Sequence, residues 1–369
     1  MKKMILKILL AWIVIALVPM QVYAEEKPVT NTIKEIIFFG DSLSDNGNLY
    51  TSDFGTLPKS PPYFKGRFSN GPTWAEVVAD HFKDSNQINS TNYAYGGESV
   101  LYHDTNLGYS VMLDHSINQY LIEADPFGLH PDLSQDLYVI LIGANDYLWG
   151  SEDPDKDTTL VTDGLKNSVN HLIKAGAKNI LLLNLPDLSM VPAARIGGDV
   201  QMLKQLTQLH NKKLVVISAD LEKEHPDASV KVFDYYAMTN EIRDDPSIYN
   251  KKFNTHISNI SDPCYTGGYQ LMGNNNLEAK LAGDLGKVSD TYQLANIAGK
   301  IHSRQMAHGV INNPMLLIAY QTQLNAQSGA QACADPSSYL FWDMVHPSAE
   351  GHALTGKLVI EFIEKNYTL

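Results

Sequence analysis

Beyond its first two dozen residues the chain has no apolar run long enough to cross a bilayer, it has only two cysteines in 369 residues, and it has too few basic side chains to balance its acids. Each shortage removes a class of function. Lysine and arginine number 28 against 41 aspartates and glutamates, a formal net charge of −13. Nucleic-acid binding draws much of its affinity from neutralised phosphates, so a chain this acidic is not expected to bind nucleic acid. Anionic membrane surfaces repel it at long range as well. Any lipid must therefore be recognised through an apolar site and not by charge. Cys264 and Cys333 stand in no close Cys/His cluster, and no His-Glu-x-x-His pattern involves His302 or His308, so neither a metal nor another cofactor is expected. The Gly-x-Ser-x-Gly elbow of α/β-hydrolases is missing too. Gly351 to Lys357 has the spacing of a phosphate loop, but Leu358 stands where Ser or Thr is needed and no strand precedes it, so the segment reads as helix.

What is present begins with an export signal. Lys2, Lys3 and Lys7 precede and interrupt an apolar run from Ile5 to Val18 that stops at Pro19. Val22-Tyr23-Ala24 then offers the small or aliphatic residues a signal peptidase reads, followed by polar Glu25-Glu26-Lys27. The run is short for a span of about 20 residues. Residues 1–24 are thus expected to be removed, leaving a secreted or periplasmic protein with no transmembrane segment. Loss of three lysines and no acid takes the formal charge from −13 to −16. In an oxidising compartment Cys264 and Cys333 are expected to pair as a disulfide, the alternative being two buried thiols.

The remainder, 44% hydrophobic and 19% charged over the whole chain, has the composition of a folded globular protein. Apolar runs at Ile36–Phe39, Tyr138–Ile142, Ile180–Leu185 and Val230–Phe233 are continuous and do not alternate, the mark of strands buried on both faces. Helical patterns lie between and after them, over Thr73–Phe82, Leu160–Ala175, Gln201–Glu224 and about Ser348–Asn366. Strand and helix in alternation predict an α/β fold, a parallel central sheet with helices on both faces. Residues 25–369 are expected to be a single domain, interrupted by an insertion over 264–333 that is rich in Gly and Asn where it opens.

Ligands of such sheets bind at the carboxyl ends of the strands. The first strand exit reads Gly40-Asp41-Ser42-Leu43, which places a serine hydroxyl at that edge; an ordinary Asp/Ser cap is the plain alternative. A helix start directly after Ser42 would favour developing negative charge. Serine chemistry needs an imidazole to take the hydroxyl proton and a carboxylate to orient the imidazole. Asp343-Met344-Val345-His346-Pro347 can supply both from one short turn. Gly97, in Gly96-Gly97-Glu98-Ser99, and Asn145, in Gly143-Ala144-Asn145-Asp146, are candidate oxyanion donors; a turn and an Asx cap are their plain alternatives. Asp41 and Asp45 read as turn-forming residues.

Ser42, Gly97, Asn145 and His346, in that order and in those contexts, resemble the marker residues of the SGNH, or GDSL, family of esterases and lipases. The likeness runs from about Ile36 to the C-terminus and is weak across 264–333. It implies a flavodoxin-like three-layer sandwich. It also implies a catalytic triad of Ser42, His346 and Asp343, with an oxyanion held by the Ser42 N–H, the Gly97 N–H and the Asn145 side chain. Gly66-Arg67-Phe68-Ser69-Asn70-Gly71-Pro72-Thr73-Trp74 and the cysteine-bounded insertion are similar to a bacterial branch of secreted phospholipases A, lysophospholipases and glycerophospholipid–cholesterol acyltransferases. That branch implies a phospholipid or lysophospholipid substrate and a sterol as an alternative acyl acceptor. The Gly- and Asn-rich ends of the 264–333 loop, which closes only ten residues before Asp343, are expected to be trimmed by an activating protease, a passive loop stapled for stability being the alternative. A carbohydrate acetylesterase is the competing enzyme, and a non-catalytic binding protein the competing class; a binder would have no need of the whole residue set.

Overall fold

In a computed structural model the described residues are 32–55, 57–102, 111–129, 132–147, 151–196, 200–265, 281–283, 285, 307 and 331–369. The expected signal, 1–24, and nearly all of the insertion between the cysteines lie outside them.

Five parallel strands form the central sheet: β1 (Glu35–Gly40), β2 (Asn89–Asn92), β3 (Asp136–Leu141), β4 (Asn179–Leu183) and β5 (Ser229–Phe233), in the order β2-β1-β3-β4-β5. This is the flavodoxin-like order, whose switch point lies between β1 and β3. The side chains of the inner strands alternate between two apolar layers. Ile37, Phe39, Tyr138, Ile140, Ile180 and Leu182 face one. Ile36, Phe38, Leu137, Val139, Leu181 and Leu183 face the other. Burial on both faces is why these strands read as unbroken apolar runs. β2 is different, because its four residues Asn-Ser-Thr-Asn are polar and three are exposed. It borders the sheet, where one side needs no core.

Helix α1 (Asn48–Ser52) is short; α2 (Trp74–Asn86) and the C-terminal helix α9 (Ala349–Asn366) pack together over one face. On the other face lie α3 (Leu113–Ala124), α4 (Pro154–Ala175) and α6 (Val200–Glu224), the last preceded by α5 (Pro192–Ile196). In α6 the spacing of Leu203, Leu206, Leu214, Ile217 and Leu221 puts all five in the core. Truncating one of them to Ala would cost about 2–5 kcal/mol. Helices α7 (Tyr235–Asp244) and α8 (Ser247–Phe253) follow β5. A parallel pair, β6 (Asn259–Pro263) and β7 (Tyr339–Phe341), sits apart from the main sheet.

The α/β sandwich with helices on both faces is as expected, and so is the disulfide between Cys264 and Cys333. One expectation fails. No helix starts directly after Ser42: residues 41–44 form a single turn, with the N–H groups of Ser44 and Asp45 donating to the Asp41 carbonyl, and α1 begins at Asn48. Asp45 accepts from the N–H groups of Gly47, Asn48 and Leu49 and so holds the start of α1.

Candidate active site

The turn that carries Ser42 depends on glycine at Gly40. A Cβ there would lie 2.3 Å from the Leu141 carbonyl oxygen on β3, so only a residue without a side chain lets β1 turn so close to its neighbour. Asp41 closes the turn by accepting the Leu43 N–H at 3.0 Å. Asp45 ties the turn to the next loop, its Oδ2 accepting the Gly96 N–H at 2.8 Å. Both acids are fully buried. Desolvation pushes Asp41 up to about 7, against the opposing Leu43 N–H, and Asp45 up to about 6, against the N–H groups it accepts. The turn-forming role expected of both is what their hydrogen bonds show.

His346 arrives from the opposite end of the chain. Its Nε2 lies 3.0 Å from Ser42 Oγ, and its Nδ1 lies 2.8 and 3.0 Å from the two oxygens of Asp343. All three residues are buried. An ionised carboxylate only accepts hydrogen bonds, so the proton of the neutral imidazole sits on Nδ1 and leaves the Nε2 lone pair facing the serine hydroxyl. Asp343 Oδ1 also accepts the N–H groups of Val345 and His346, and Oδ2 accepts the Tyr63 hydroxyl at 2.6 Å. Burial alone would raise the Asp343 carboxyl. The charge and hydrogen bond of His346, helped by Tyr63 and the Val345 N–H, outweigh it and hold the group below the ordinary carboxylate range.

The stretch from Gly66 to Trp74 cradles this loop. The Phe68 ring packs 5.0 Å from the His346 ring, centroid to centroid. Ser69 Oγ donates to the Pro347 carbonyl, and Asn70 Oδ1 accepts the Ala349 N–H at the start of α9. The Trp74 N–H donates to His352 Nδ1, joining α2 to α9. Gly97 adopts φ +82°, a left-handed conformation that favours glycine. Asn145 Nδ2 donates to the Glu98 carbonyl at 2.8 Å. These links bring the loops of Ser42, Gly97 and Asn145 to one edge of the sheet beside the imidazole. The arrangement can move a proton from Ser42 Oγ to His346 and hold the resulting imidazolium against Asp343. Among the described residues no His, Cys, Asp or Glu cluster could hold a metal ion.

The model of the GDSL-like lipase/acylhydrolase family matches residues 36–359. The phosphatidylcholine-sterol acyltransferase of Aeromonas hydrophila is 32% identical over 349 residues, covering 93% of this chain and 93% of that protein. The chain belongs to the GDSL lipase/acylhydrolase family. The resemblance seen in Ser42, Gly97, Asn145 and His346 is therefore correct as to family, and the likeness to bacterial acyltransferases holds as well. A secreted effector protein of Salmonella typhimurium is 28% identical over 63% of this chain and 56% of its own length. The thermolabile hemolysin of Vibrio parahaemolyticus is 23% identical over 63% of this chain and 51% of its own. Among solved structures, a carbohydrate acetylesterase from Sinorhizobium meliloti covers 54% of this chain and 83% of its own at 17% identity and a TM-score of 0.36. That last likeness is too distant to bear on the substrate of this GDSL protein.

Two features of the site carry no mark in the sequence. Tyr63, in Pro61-Pro62-Tyr63, lies 280 residues from the carboxylate it touches. Asp45 belongs to the Gly-Asp-Ser-Leu neighbourhood but reaches 51 residues on to Gly96. Neither contact follows a local period, so neither had a signal to find.

Proposed function

We propose that the protein is an exported serine carboxylester hydrolase that removes acyl chains from phospholipids or lysophospholipids. The observation that carries this reading is the buried hydrogen-bonded series Ser42 Oγ, His346 Nε2, His346 Nδ1 and Asp343. Ser42 attacks the ester carbonyl as His346 takes its proton. The Ser42 N–H, the Gly97 N–H and the second hydrogen of Asn145 Nδ2 hold the oxyanion. His346 then returns the proton to the leaving alcohol, and water resolves the acyl-enzyme. An alcohol such as a sterol in place of that water would make the same intermediate an acyl donor.

Support for a lipid substrate comes from an apolar cavity of about 60 Å³, with Leu188, Met190, Met238 and Phe341 in its walls. Neighbours of three site residues also form its walls: Asp41 and Leu43 beside Ser42, Ala144 beside Asn145, and Val345 and Pro347 beside His346. With a net negative charge that repels an anionic surface, apolar contact is the force left for gripping an acyl chain. The test is product analysis on lysophospholipid, diacyl phospholipid, a lipid with added sterol, an acetylated sugar and a short artificial ester, each with wild type and Ser42→Ala. Fatty-acid release from lysophospholipid that Ser42→Ala abolishes is the expected result. Release of acetate from the sugar alone would replace the lipase reading with a carbohydrate esterase. Full activity in folded Ser42→Ala would end both.

A further inference from the structure

Around Asp343 the structure holds more than an orienting carboxylate needs. The Tyr63 hydroxyl donates to Asp343 Oδ2, the same oxygen that makes the shorter bond to His346 Nδ1. Tyr63 is itself buried, in an aromatic cluster with Tyr265, Trp342 and Cys264. Its ring meets those of Phe68 and Tyr265 edge-on, at 6.3 and 6.4 Å between centroids, and Tyr265 stacks on Trp342 at 5.6 Å. Phe68 in turn packs on His346. The phenol therefore touches the carboxylate while its ring is gripped on two sides, one leading to the imidazole and one to the disulfide.

The disulfide end of this cluster is bonded straight to the segment that carries the carboxylate. The Cys264 N–H donates to the Phe341 carbonyl and the Tyr265 N–H to the Trp342 carbonyl, the two residues before Asp343. The Cys333 N–H donates to the Cys264 carbonyl, and the Trp342 N–H to the His346 carbonyl. The Cys264–Cys333 bond thus pins the segment on which Tyr265 sits, Tyr265 seats Tyr63, and Tyr63 gives Asp343 Oδ2 a second donor beside His346 Nδ1.

We propose that Tyr63 is a positioning residue for Asp343, seated by the aromatic stack that the Cys264–Cys333 disulfide anchors, so that turnover responds to the redox state of that one bond. The proposal rests on the reading of Asp343 as the carboxylate of the relay. Tyr63 touches neither substrate nor the attacking oxygen and acts through the orientation of Asp343 and hence of His346. A planar carboxylate held at Oδ1 by two backbone N–H groups can still tilt about that edge together with the imidazole bonded to Oδ2, and the phenol opposes this shared tilt.

The experiment compares wild type, Tyr63→Phe and Asp343→Asn on a short ester, each oxidised and after treatment with a thiol reductant. Cys264 and Cys333 are the chain's only cysteines, so the reductant has one target. In Tyr63→Phe the ring and its packing remain and one hydroxyl goes. We expect kcat to fall about 10- to 100-fold, the size of one hydrogen bond to a charged group, with KM within about twofold. The pH at which Asp343 takes up a proton should also rise, because Tyr63 helps to hold it below its ordinary range. Reduction should lower wild-type kcat and add little to the loss already present in Tyr63→Phe, since both act on one element. A Tyr63→Phe enzyme with a lower Tm but wild-type kcat and pH profile would make Tyr63 structural only and overturn the proposal. Reduction that cuts both enzymes by the same factor would overturn the link to the disulfide. Asp343→Asn separates this failure from that of the wider reading: an active Asp343→Asn refutes the relay, whereas an inactive one beside an unaltered Tyr63→Phe refutes this inference alone.

Discussion

Replacing Asp343 by Asn changes one atom of the site and should remove nearly all of its activity. The carboxylate accepts the Val345 and His346 N–H groups at Oδ1, at 2.9 and 2.8 Å, and faces His346 Nδ1 and the Tyr63 hydroxyl at Oδ2, at 2.8 and 2.6 Å. Two backbone donors require an oxygen at the Oδ1 position, so the new NH2 group must occupy the other, where it meets two donors. The imidazole can make peace with that amide only by offering Nδ1 as an acceptor. Its proton then moves to Nε2 and points at Ser42 Oγ, 3.0 Å away, where a lone pair is needed. A wrong-tautomer histidine costs about 10⁴-fold in kcat, or roughly 5 kcal/mol of transition-state stabilisation. Initial rates on lysophospholipid and a short ester give kcat and KM, and thermal denaturation shows that the variant is folded. A folded Asp343→Asn with kcat within about tenfold of wild type would falsify the tautomer argument and leave His346 acting without Asp343.

Asn145→Ala should lower kcat by roughly 10²–10³ with a smaller change in KM, the signature of a lost oxyanion donor; a change confined to KM would move Asn145 to substrate binding. Asp41, at about 7 in the folded chain against an ordinary 3.8, keeps a proton that the unfolded chain has already lost between those values, so it makes stability fall as pH rises through that window. Asp41→Asn, neutral throughout, should therefore have a higher Tm than wild type at pH about 8 and no such advantage at pH about 4, and equal differences at both would show that Asp41 is ionised in the fold. Cleavage within the 69-residue separation of Cys264 and Cys333 should raise lysophospholipid turnover in a manner that Ser42→Ala abolishes. Unchanged turnover after cleavage would make the enclosed loop passive, its closure worth about 4 kcal/mol by chain entropy.

The parts of the fold that the sequence reveals are those where one physical demand dominates a local stretch. β1, β3, β4 and β5 need apolar side chains toward both layers, and their runs are legible for that reason. β2 has no such demand, and its Asn-Ser-Thr-Asn looks like loop because backbone pairing to β1 alone makes it a strand. Thr73 and Ser348 mark helix starts through their own chemistry, with Glu76 completing a capping box at the first and Ser348 accepting the Gly351 N–H at the second. The site divides in the same way. Ser42, Gly97, Asn145 and His346 stand in short motifs because each must sit at a strand exit or a sharp turn. Phe68 and Tyr63 are fixed only by what they meet across the fold, and a phenylalanine or tyrosine meets the same need from many positions in a chain.

The serine and the imidazole it depends on are 304 residues apart. On a ribosome adding about 5–20 residues per second, Ser42 emerges roughly 15–60 s before His346, its proposed base, exists. Until then Ser42 has an ordinary, weakly reactive hydroxyl, and the loop that will bring His346 still lacks Ala349 and Gly351, whose N–H groups hold it to Asn70 and Ser348. The order of the polypeptide itself thus keeps the serine apart from its imidazole during synthesis. The unfinished chain is harmless, and competence arrives in one step, with the docking of its final helix.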